Sequence, residues 1–498
     1  NLKGDYNPME RDQIKDGGEL TLPIYEVPEQ SNSLHANSVM DTLTLWRWYN
    51  PQPVLFDGDG TWHLNPDYLT NVKDEEVDGK TVVTYDINPD AVFNDGTPID
   101  WRAFETTWKV SNGENKDFSV SSTDGYELIE SVTAGESDKQ AVVTFKQPFA
   151  WWQALFNQFM HPAVSDPQTF NEGYLKNPHP EWGAGPFKVD TFDYNGGTVT
   201  FVPNEKWWGE KPKLDKVTYR QMESQAIINA FQAGEIDAAS VATKDNLAVA
   251  KQMKDINILG ALQPSNFLLT LNSKTPILED IKVRQALITG VDRETLAQIR
   301  FNGLDYKEDL PGSIFLFQNQ EGYQDNFSSA AQYDQDKAKQ LLDEAGWAEG
   351  GDGIREKDGK KLKLRYVTFG DDQMIKSSVT GLQKMMKNIG VDMQVEERPN
   401  SDFSRVLAEK DFDLIMSGFS STDPFGVLYF KQDYASNSEL NNSGTGTPEF
   451  DEKINELYQI SDKTEQIAKA NELEKEAFAQ YGIMPYANGP QLTGVKKG

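Results

Sequence analysis

A chain of 498 residues exceeds what one hydrophobic core organises, so we expect at least two domains. Its 48 basic and 78 acidic residues give a net charge of −30, which disfavours binding to nucleic acid and to anionic membrane surfaces. The absence of cysteine excludes disulfides and thiolate metal sites, and no apolar run approaches the roughly 18 residues of a membrane-spanning helix.

The amino-terminal part combines a polar leader with short strands and aromatic stretches. Residues 1–16 show no apolar pattern, and because the chain starts at Asn1 rather than Met, we expect that a preceding segment was removed or left out. Alternation predicts strands at 20–24 and 82–87, and Asp100 is placed to cap a helix. Apolar residues on every side of 151–159 predict a packed helix there.

From residue 198 onward, strand and helix patterns alternate without a long linker or a repeat. The predicted helices are 224–233, the segment from Asp280 to Gly290, the segment from Asp334 to Gly346, 382–389, 450–457 and 469–481. The predicted strands are 198–202, 217–220, 267–271, 362–367 and 414–416, the last ending at Ser417-Gly418. We therefore predict a mixed α/β chain with interleaved domains.

Recognisable catalytic and cofactor motifs are missing. The sequence has no GxSxG, GxxxxGK[ST] or GxGxxG motif, and its four histidines match no zinc-type spacing. Among 78 acidic residues, spacing alone cannot nominate a catalytic carboxylate pair. We therefore expect a protein that is not an enzyme and needs no cofactor or metal; a secreted hydrolase is the alternative from another functional class.

Six phrases in one order along the chain resemble the oligopeptide-binding family of ABC-importer solute-binding proteins. They are FNDGTPID at 93–100, GAGPF at 183–187, NEKWWGEKP at 204–212, AGEID at 233–237, DIKVRQAL at 280–287 with VDR at 291–293, and YDQDKAKQLLDEAGW at 333–347. A further short match to the family is IMPY at 483–486. Physically these phrases are caps, turns and amphipathic helices, and we expect Arg284 to form a structural salt bridge rather than to contact ligand.

The resemblance implies a two-lobed periplasmic-binding-protein-like fold with mixed sheets, two hinge crossings and an extra domain. Lobe one would comprise residues 17–53, 183–265 and 488–498, the extra domain 54–182, and lobe two 266–487. The crossings would lie near 267–271 and 485–488, and the lobes would close over the ligand.

For function, the resemblance implies the extracytoplasmic subunit of an ABC importer that captures short oligopeptides and delivers them to transmembrane permease subunits. The protein would be a monomer at a bacterial cell surface or in a periplasm. It would be attached to the membrane only through a lipidated Cys upstream of Asn1.

In peptide-binding members an extended peptide pairs with backbone of both lobes, and a carboxylate receives its α-ammonium. By resemblance, the ligand-binding candidates are Asn32, Ser33, Leu34 and His35 in lobe one and Gly418, Phe419 and Ser420 in lobe two. Asp423 is the candidate ammonium anchor, although it falls one position later than in the family pattern and Asp-Pro also opens turns.

Three tryptophans, Trp46, Trp48 and Trp182, are candidate pocket rings, with core packing as the alternative for each. Their abundance leaves open a second ligand class, an oligosaccharide stacked on aromatic rings within the same fold.

Overall fold

The structure is a computed structural model that describes residues 4–370, 372–399, 402–421 and 423–498. Two compact units divide the chain: the first comprises 4–261 and Gln491–Gly498, and the second comprises the described part of Leu262–Pro490. The chain therefore passes between the units at 261/262 and 490/491. A separate domain over 54–182 stays a prediction.

Both units combine strands and helices, as predicted for a mixed α/β chain. The strands in the described ranges are β1 (Glu19–Ile24), β2 (Val54–Phe56), β3 (Trp62–Leu64), β4 (Leu69–Val77), β5 (Lys80–Ile87), β6 (Ile129–Ala134), β7 (Gln140–Phe145), β8 (Phe187–Asp193), β9 (Thr198–Pro203), β10 (Lys216–Gln221), β11 (Ala238–Ser240), β12 (Ile256–Leu262), β13 (Ser265–Leu271), β14 (Glu356–Lys357), β15 (Lys360–Lys361), β16 (Lys363–Phe369), β17 (Asp392–Arg398), β18 (Leu414–Ser420), β19 (Ile483–Ala487) and β20 (Pro490–Lys496).

The α-helices in the same ranges are α1 (Met40–Tyr49), α2 (Trp101–Ser111), α3 (Pro167–Glu172), α4 (Ser224–Ala233), α5 (Lys244–Gln252), α6 (Ile281–Thr289), α7 (Arg293–Phe301), α8 (Gln335–Glu344), α9 (Gln373–Asn388), α10 (Phe403–Glu409), α11 (Phe430–Tyr434), α12 (Pro448–Leu457) and α13 (Lys463–Phe478). None of these described helices combines the length and apolarity needed to cross a bilayer.

The first unit is organised around a sheet of order β1-β10-β9-β8. Helix α1 covers it through Leu45 and Tyr49, which pack with Phe201 and Val217 of the sheet. A second sheet, β4-β5-β7-β6, is wholly antiparallel. The last strand, β20, returns to pair between β11 and β12, so the C-terminus completes the first unit.

The second unit contains one five-stranded sheet of order β17-β16-β18-β13-β19. β16 runs parallel to β17 and β18, whereas β13 runs antiparallel to its neighbours β18 and β19. The carboxyl ends of β16, β17, β18 and β19 therefore lie at the same edge as the amino end of β13. Ligands of open α/β sheets commonly bind outside the carboxyl ends of strands, so this edge is the place to look for a site.

Local capping signals correctly predicted where three helices begin. Asp100, Asp280 and Asp334 each accept a hydrogen bond from a backbone N–H in the first turn of α2, α6 and α8. Gly346 follows α8 with φ +89°, and Trp347 behind it is buried.

The helix predicted at 151–159 and the salt bridge predicted for Arg284 were wrong. The segment 151–159 is not an α-helix but a short 3-10 turn, Trp152–Ala154, followed by Phe156 with φ +61°. The N–H of Phe156 donates to the Tyr126 hydroxyl instead of a helical carbonyl. Arg284 does not pair with a carboxylate in the described ranges; its guanidinium donates to the carbonyls of Leu278, Glu279 and Gln480.

Candidate functional site

In the sheet of the second unit, strands β16 and β18 pair at one position and then separate. The described register of these two parallel strands consists of one pair, Tyr366 with Leu414. On its other side, β18 pairs with β13 along its whole length, from Leu414 to Ser420. The distal half of β18 thus keeps one bonded neighbour and turns its other side to the gap.

Hydrogen bonds fix which backbone groups face that gap. Asn272 N–H donates to the Asp413 carbonyl and Ser421 N–H to the Pro264 carbonyl, so odd-numbered residues of β18 bond to β13. Alternate residues of an antiparallel pair point their backbone groups away from the partner, which applies to Met416, Gly418 and Ser420. The backbone of Met416 forms a hydrogen bond with the Tyr366 hydroxyl. Gly418 and Ser420 have no backbone partner on this side among the described residues.

A cavity of about 310 Å³ occupies the gap. Its walls come from β13, β16, β18 and β19 and from α7, α9 and α10, and include Phe267, Arg300, Phe369, Met374, Gly418 and Tyr486. A Cβ at Gly418 would lie 3.0 Å from the Asn266 carbonyl oxygen. Glycine at this position therefore permits close packing on β13 and leaves the backbone beside the cavity accessible.

Arg300 supplies the positive charge of the cavity. Its guanidinium carbon lies 3.2 Å from the centre of the Phe267 ring, and Nη1 lies 3.8 Å from Sδ of Met374. Its third neighbour is the Tyr486 side chain. Burial lowers the pKa of Arg300 from its usual range and raises that of Tyr486, so the pair consists of a guanidinium and a neutral phenol at neutral pH.

Asp423 lies in the turn that follows β18. Its Oδ1 accepts from the N–H of Phe425 at 2.9 Å, and its Oδ2 accepts from the Tyr429 hydroxyl. These bonds match the turn-opening role that the sequence left open as an alternative. Its role as the ammonium anchor stays a prediction.

The lobe-one candidates are largely occupied inside the first unit. Asn32 is fully buried, and its amide donates to the Phe170 carbonyl. Ser33 bonds to Gln158, and the Leu34 carbonyl accepts from Ser121 N–H. His35 forms an antiparallel bridge with Val120. These bonds hold the segment in its own unit, and ligand contact by Asn32, Ser33, Leu34 or His35 stays a prediction.

The candidate tryptophan rings all pack against protein. Trp46 is 1% exposed and lies in a core with Tyr174 and Phe170. Trp48 is half-buried, and its Nε1 donates to the Tyr219 hydroxyl at 2.8 Å. Trp182 stacks on His179 with ring centres 3.7 Å apart. Core packing, the alternative weighed for each ring, agrees with these contacts, and a ligand role for Trp46, Trp48 or Trp182 stays a prediction.

Sequence reasoning named Gly418, which the structure places beside the cavity, but missed Arg300, Phe267 and Met374. One signal was available for Arg300. It follows Leu296 and Ala297 at helical spacing, which puts a basic residue on the apolar face of α7. A charge on a buried face requires a local reason, and here the reason is the cavity.

Within the part of the chain that the structure describes, no three His, Asp or Glu side chains converge as metal ligands would. The site instead combines open strand backbone, aromatic and thioether walls, and one guanidinium.

Comparison with known proteins places this geometry in a family. Residues 63–440 match the model for bacterial extracellular solute-binding proteins, family 5. The oligopeptide-binding protein OppA of Mycobacterium tuberculosis is 33% identical over 500 residues, covering 99% of this chain and 83% of OppA.

Among solved structures, the periplasmic EDTA-binding protein EppA superposes with a TM-score of 0.88 at 27% identity, covering 97% of this chain and 92% of EppA. The oligopeptide-binding protein AppA of Bacillus subtilis, in complex with a nonapeptide, superposes with a TM-score of 0.74 at 21% identity, covering 97% of this chain and 95% of AppA. The predicted two-lobed binding-protein fold is therefore confirmed. The chain belongs to the bacterial extracellular solute-binding proteins of family 5.

Proposed function

We propose that this protein is the ligand-capturing subunit of a bacterial ABC importer for short oligopeptides. The observation that carries the proposal is the unpaired side of β18 at Gly418 and Ser420. Such an edge accepts an extended peptide as an added strand, and backbone hydrogen bonds bind it without reading its sequence. The 33% identity to OppA supports the same ligand class.

A binding role without catalysis fits the site. The cavity brings together aromatic rings, thioethers and one guanidinium, with no arrangement of nucleophile and base among its described walls. The oligosaccharide alternative is weakened because the Trp46, Trp48 and Trp182 rings that would stack on a sugar already pack on protein.

Native mass spectrometry of protein purified without refolding tests the ligand class. We expect a mixture of bound masses that fragment as peptides of varied sequence. A protein that carries one sugar species, and exchanges it for no peptide, would contradict the proposal. Repeating the measurement after incubation with a defined pentapeptide provides a positive control, because that peptide should displace part of the mixture.

The partners and location follow the same proposal. We infer that the protein works extracytoplasmically as a monomer, delivers its ligand to transmembrane permease subunits, and is held by a lipidated Cys outside these 498 residues. Light scattering should give about the 56.0 kDa of one chain. Peptide-loaded protein should stimulate the ATPase activity of its reconstituted importer, and fatty-acid labelling of the full precursor in cells should mark it. A stable dimer would contradict the monomeric state. ATPase activity that peptide-loaded protein does not stimulate would contradict delivery to the permease. A precursor that takes up no fatty acid would contradict the lipid anchor.

A further inference from the structure

Arg300 lies on the buried face of helix α7, and its described side-chain neighbours carry no negative charge that would balance the guanidinium. A guanidinium has five N–H donors, and those of Arg300 meet a thioether, Met374, and a phenol, Tyr486. Among the described residues, no carboxylate oxygen lies within 4.0 Å of it; Asp372 and Glu308 act on it from farther away. The Phe267 ring below the guanidinium stabilises the cation but supplies no acceptor oxygen.

Other arginines of the same unit show that this situation is unusual. Arg293, the first residue of α7, donates to the carbonyls of Pro311 and Pro485. Arg355 pairs with Asp343 at 2.6 Å, and Arg365 forms two bonds with Glu396. Each of these guanidiniums is satisfied by oxygen acceptors from the protein, whereas Arg300 faces a cavity.

The cavity walls strengthen any charge interaction that forms there. Phe267, Phe369, Phe403 and Met374 provide apolar surface, and Ser417 and Ser378 provide hydroxyls beside it. Coulombic attraction is stronger in such surroundings than in water, and an unpaired charge is costly there. A volume of about 310 Å³ is at the lower limit of ligand pockets and suits one side chain or terminal group rather than a whole peptide.

We propose that Arg300 binds a carboxylate of the ligand, so that this cavity is a subsite for an acidic group. A carboxylate completes the guanidinium's hydrogen bonds in a bidentate pair, while the ligand backbone lies along Gly418 and Ser420. This inference deepens the oligopeptide proposal and rests on it for a peptide ligand. The same carboxylate chemistry could come from an acidic side chain, from a peptide C-terminus or from a polycarboxylate chelator.

Calorimetric titration of the whole chain with matched peptides tests the inference. The probes are amidated alanine pentapeptides with one Glu at each position in turn, each paired with its Gln counterpart, together with pentaalanine as free acid and as amide. We expect at least one acidic probe to bind about tenfold or more tightly than its neutral counterpart, since charge-assisted hydrogen bonds are strong. The position that shows the preference identifies the residue that enters the cavity.

Three variants assign that preference to Arg300. Arg300→Met should reduce the acidic-to-neutral affinity ratio to about one. Arg300→Lys should retain part of the ratio, because it keeps the charge but not the bidentate geometry. Lys453→Met removes an exposed positive charge of α12 that pairs with Glu476, and should leave the ratio unchanged. A merely structural Arg300 would not move this ratio.

The outcomes separate this inference from the proposed function. A wild-type protein that binds peptides without acidic preference, or an Arg300→Met variant that keeps the preference, overturns the subsite. If no peptide binds, the oligopeptide proposal fails, and EDTA with its Fe(III) complex becomes the deciding probe. Binding of either chelator that Arg300→Met weakens by about tenfold retains the carboxylate site. Absent or unaffected chelator binding overturns it.

Discussion

At the scale of single residues, the arginines of the second unit show how surroundings set the role of one residue type. Arg284 and Arg293 donate to backbone carbonyls and so hold together segments that are distant in sequence. The pKa of Arg293 is lowered to about 10 by burial, yet it remains charged at neutral pH. Arg300 lies seven residues further along the same helix, and its neighbours leave donors for a ligand. Sequence position alone could not separate these roles.

Asp423 provides a residue-scale prediction for peptide recognition. Asp423→Asn keeps an oxygen to accept from Phe425 N–H but removes the charge that would hold a peptide ammonium. We expect pentapeptide affinity to fall about tenfold or more, measured by calorimetry, because a charge-assisted hydrogen bond is lost. N-acetylated peptide should bind wild type and variant equally weakly.

Tyr429→Phe is the matched control, because it removes the hydroxyl contact to Asp423 but keeps the charge. Its affinity should stay within about threefold of wild type. Unchanged affinity in Asp423→Asn would leave Asp423 as a turn residue only.

Asp433 provides a second residue-scale prediction, about pH and stability. Burial first, and then nearby Glu474, raises the pKa of the Asp433 carboxyl group well above its usual range. Placing Asp433 in the folded state therefore costs free energy at pH values above its unfolded pKa of about 3.9, and this cost shrinks to zero as the pH falls from the raised pKa to that value.

Asp433→Asn should raise the free energy of unfolding by about 1 kcal/mol or more at pH ~7.5, with the advantage approaching zero near pH ~4. Urea titrations at these pH values provide the measurement. Glu452→Gln, at an exposed acid of α12, is the control and should show little effect. An Asn advantage that did not shrink on acidification would exclude this electrostatic explanation.

At the scale of elements, local signals were readable and long-range ones were not. Asp280 and Asp334 cap helices within their own turn, so the sequence alone predicted them. The predicted end of β18 at Ser417-Gly418 was early: the strand continues to Ser420 because β13 pairs with it up to Ser265. Pairing between distant segments outweighed the local turn signal.

The candidate site was also predictable from local sequence in part, but its contacts between distant segments were not. Gly418 was found because a sequence phrase resembles the family, whereas the cavity beside it joins residues from seven elements. Phe267 and Arg300 are thirty-three positions apart, yet the guanidinium stacks on the ring at 3.2 Å. No periodicity within either element encodes that contact, so the charged wall of the cavity became visible only in the structure.

A carboxylate also organises the strand end from which the chain leaves the second unit. Glu308 accepts from the N–H groups of Asn488 and Gly489, at 2.7 Å and 3.1 Å, and from the Tyr306 hydroxyl. Gly489 has φ +90°, which a residue with a side chain adopts rarely. Successive amides that converge on one anion form a compact binding site, so Glu308 should stabilise this conformation.

Glu308→Ala should therefore speed amide hydrogen exchange in a peptide covering Asn488 and Gly489 by about tenfold or more, as measured by mass spectrometry. The loss of a charged acceptor leaves both N–H groups open to solvent. Asp309→Ala changes the neighbouring, exposed acid and should leave exchange there unaltered. Equal exchange in both variants would show that β19 pairing alone holds the segment.

At the scale of the whole molecule, the net charge of −30 acts on both units through self-repulsion. Many ion pairs are solvent-exposed, such as Lys80 with Glu130 and Lys453 with Glu476, and contribute little individually. The excess of 78 acidic over 48 basic residues is then the larger electrostatic influence on stability. Folding brings like charges closer together, so their repulsion destabilises the folded state. Screening by salt should therefore favour folding.

We expect the Tm to rise by several degrees when NaCl is raised from about 10 to 200 mM, because the Debye length falls from about 30 Å to below 10 Å. Differential scanning calorimetry at constant pH provides the measurement. KCl should give the same shift as NaCl, since screening depends on ionic strength, whereas an equal osmolality of a neutral solute should give a smaller one. A Tm that falls with salt would mean that attractive ion pairs outweigh the repulsion, and that the networks around Arg365 and Arg405 stabilise the fold more than isolated surface pairs do.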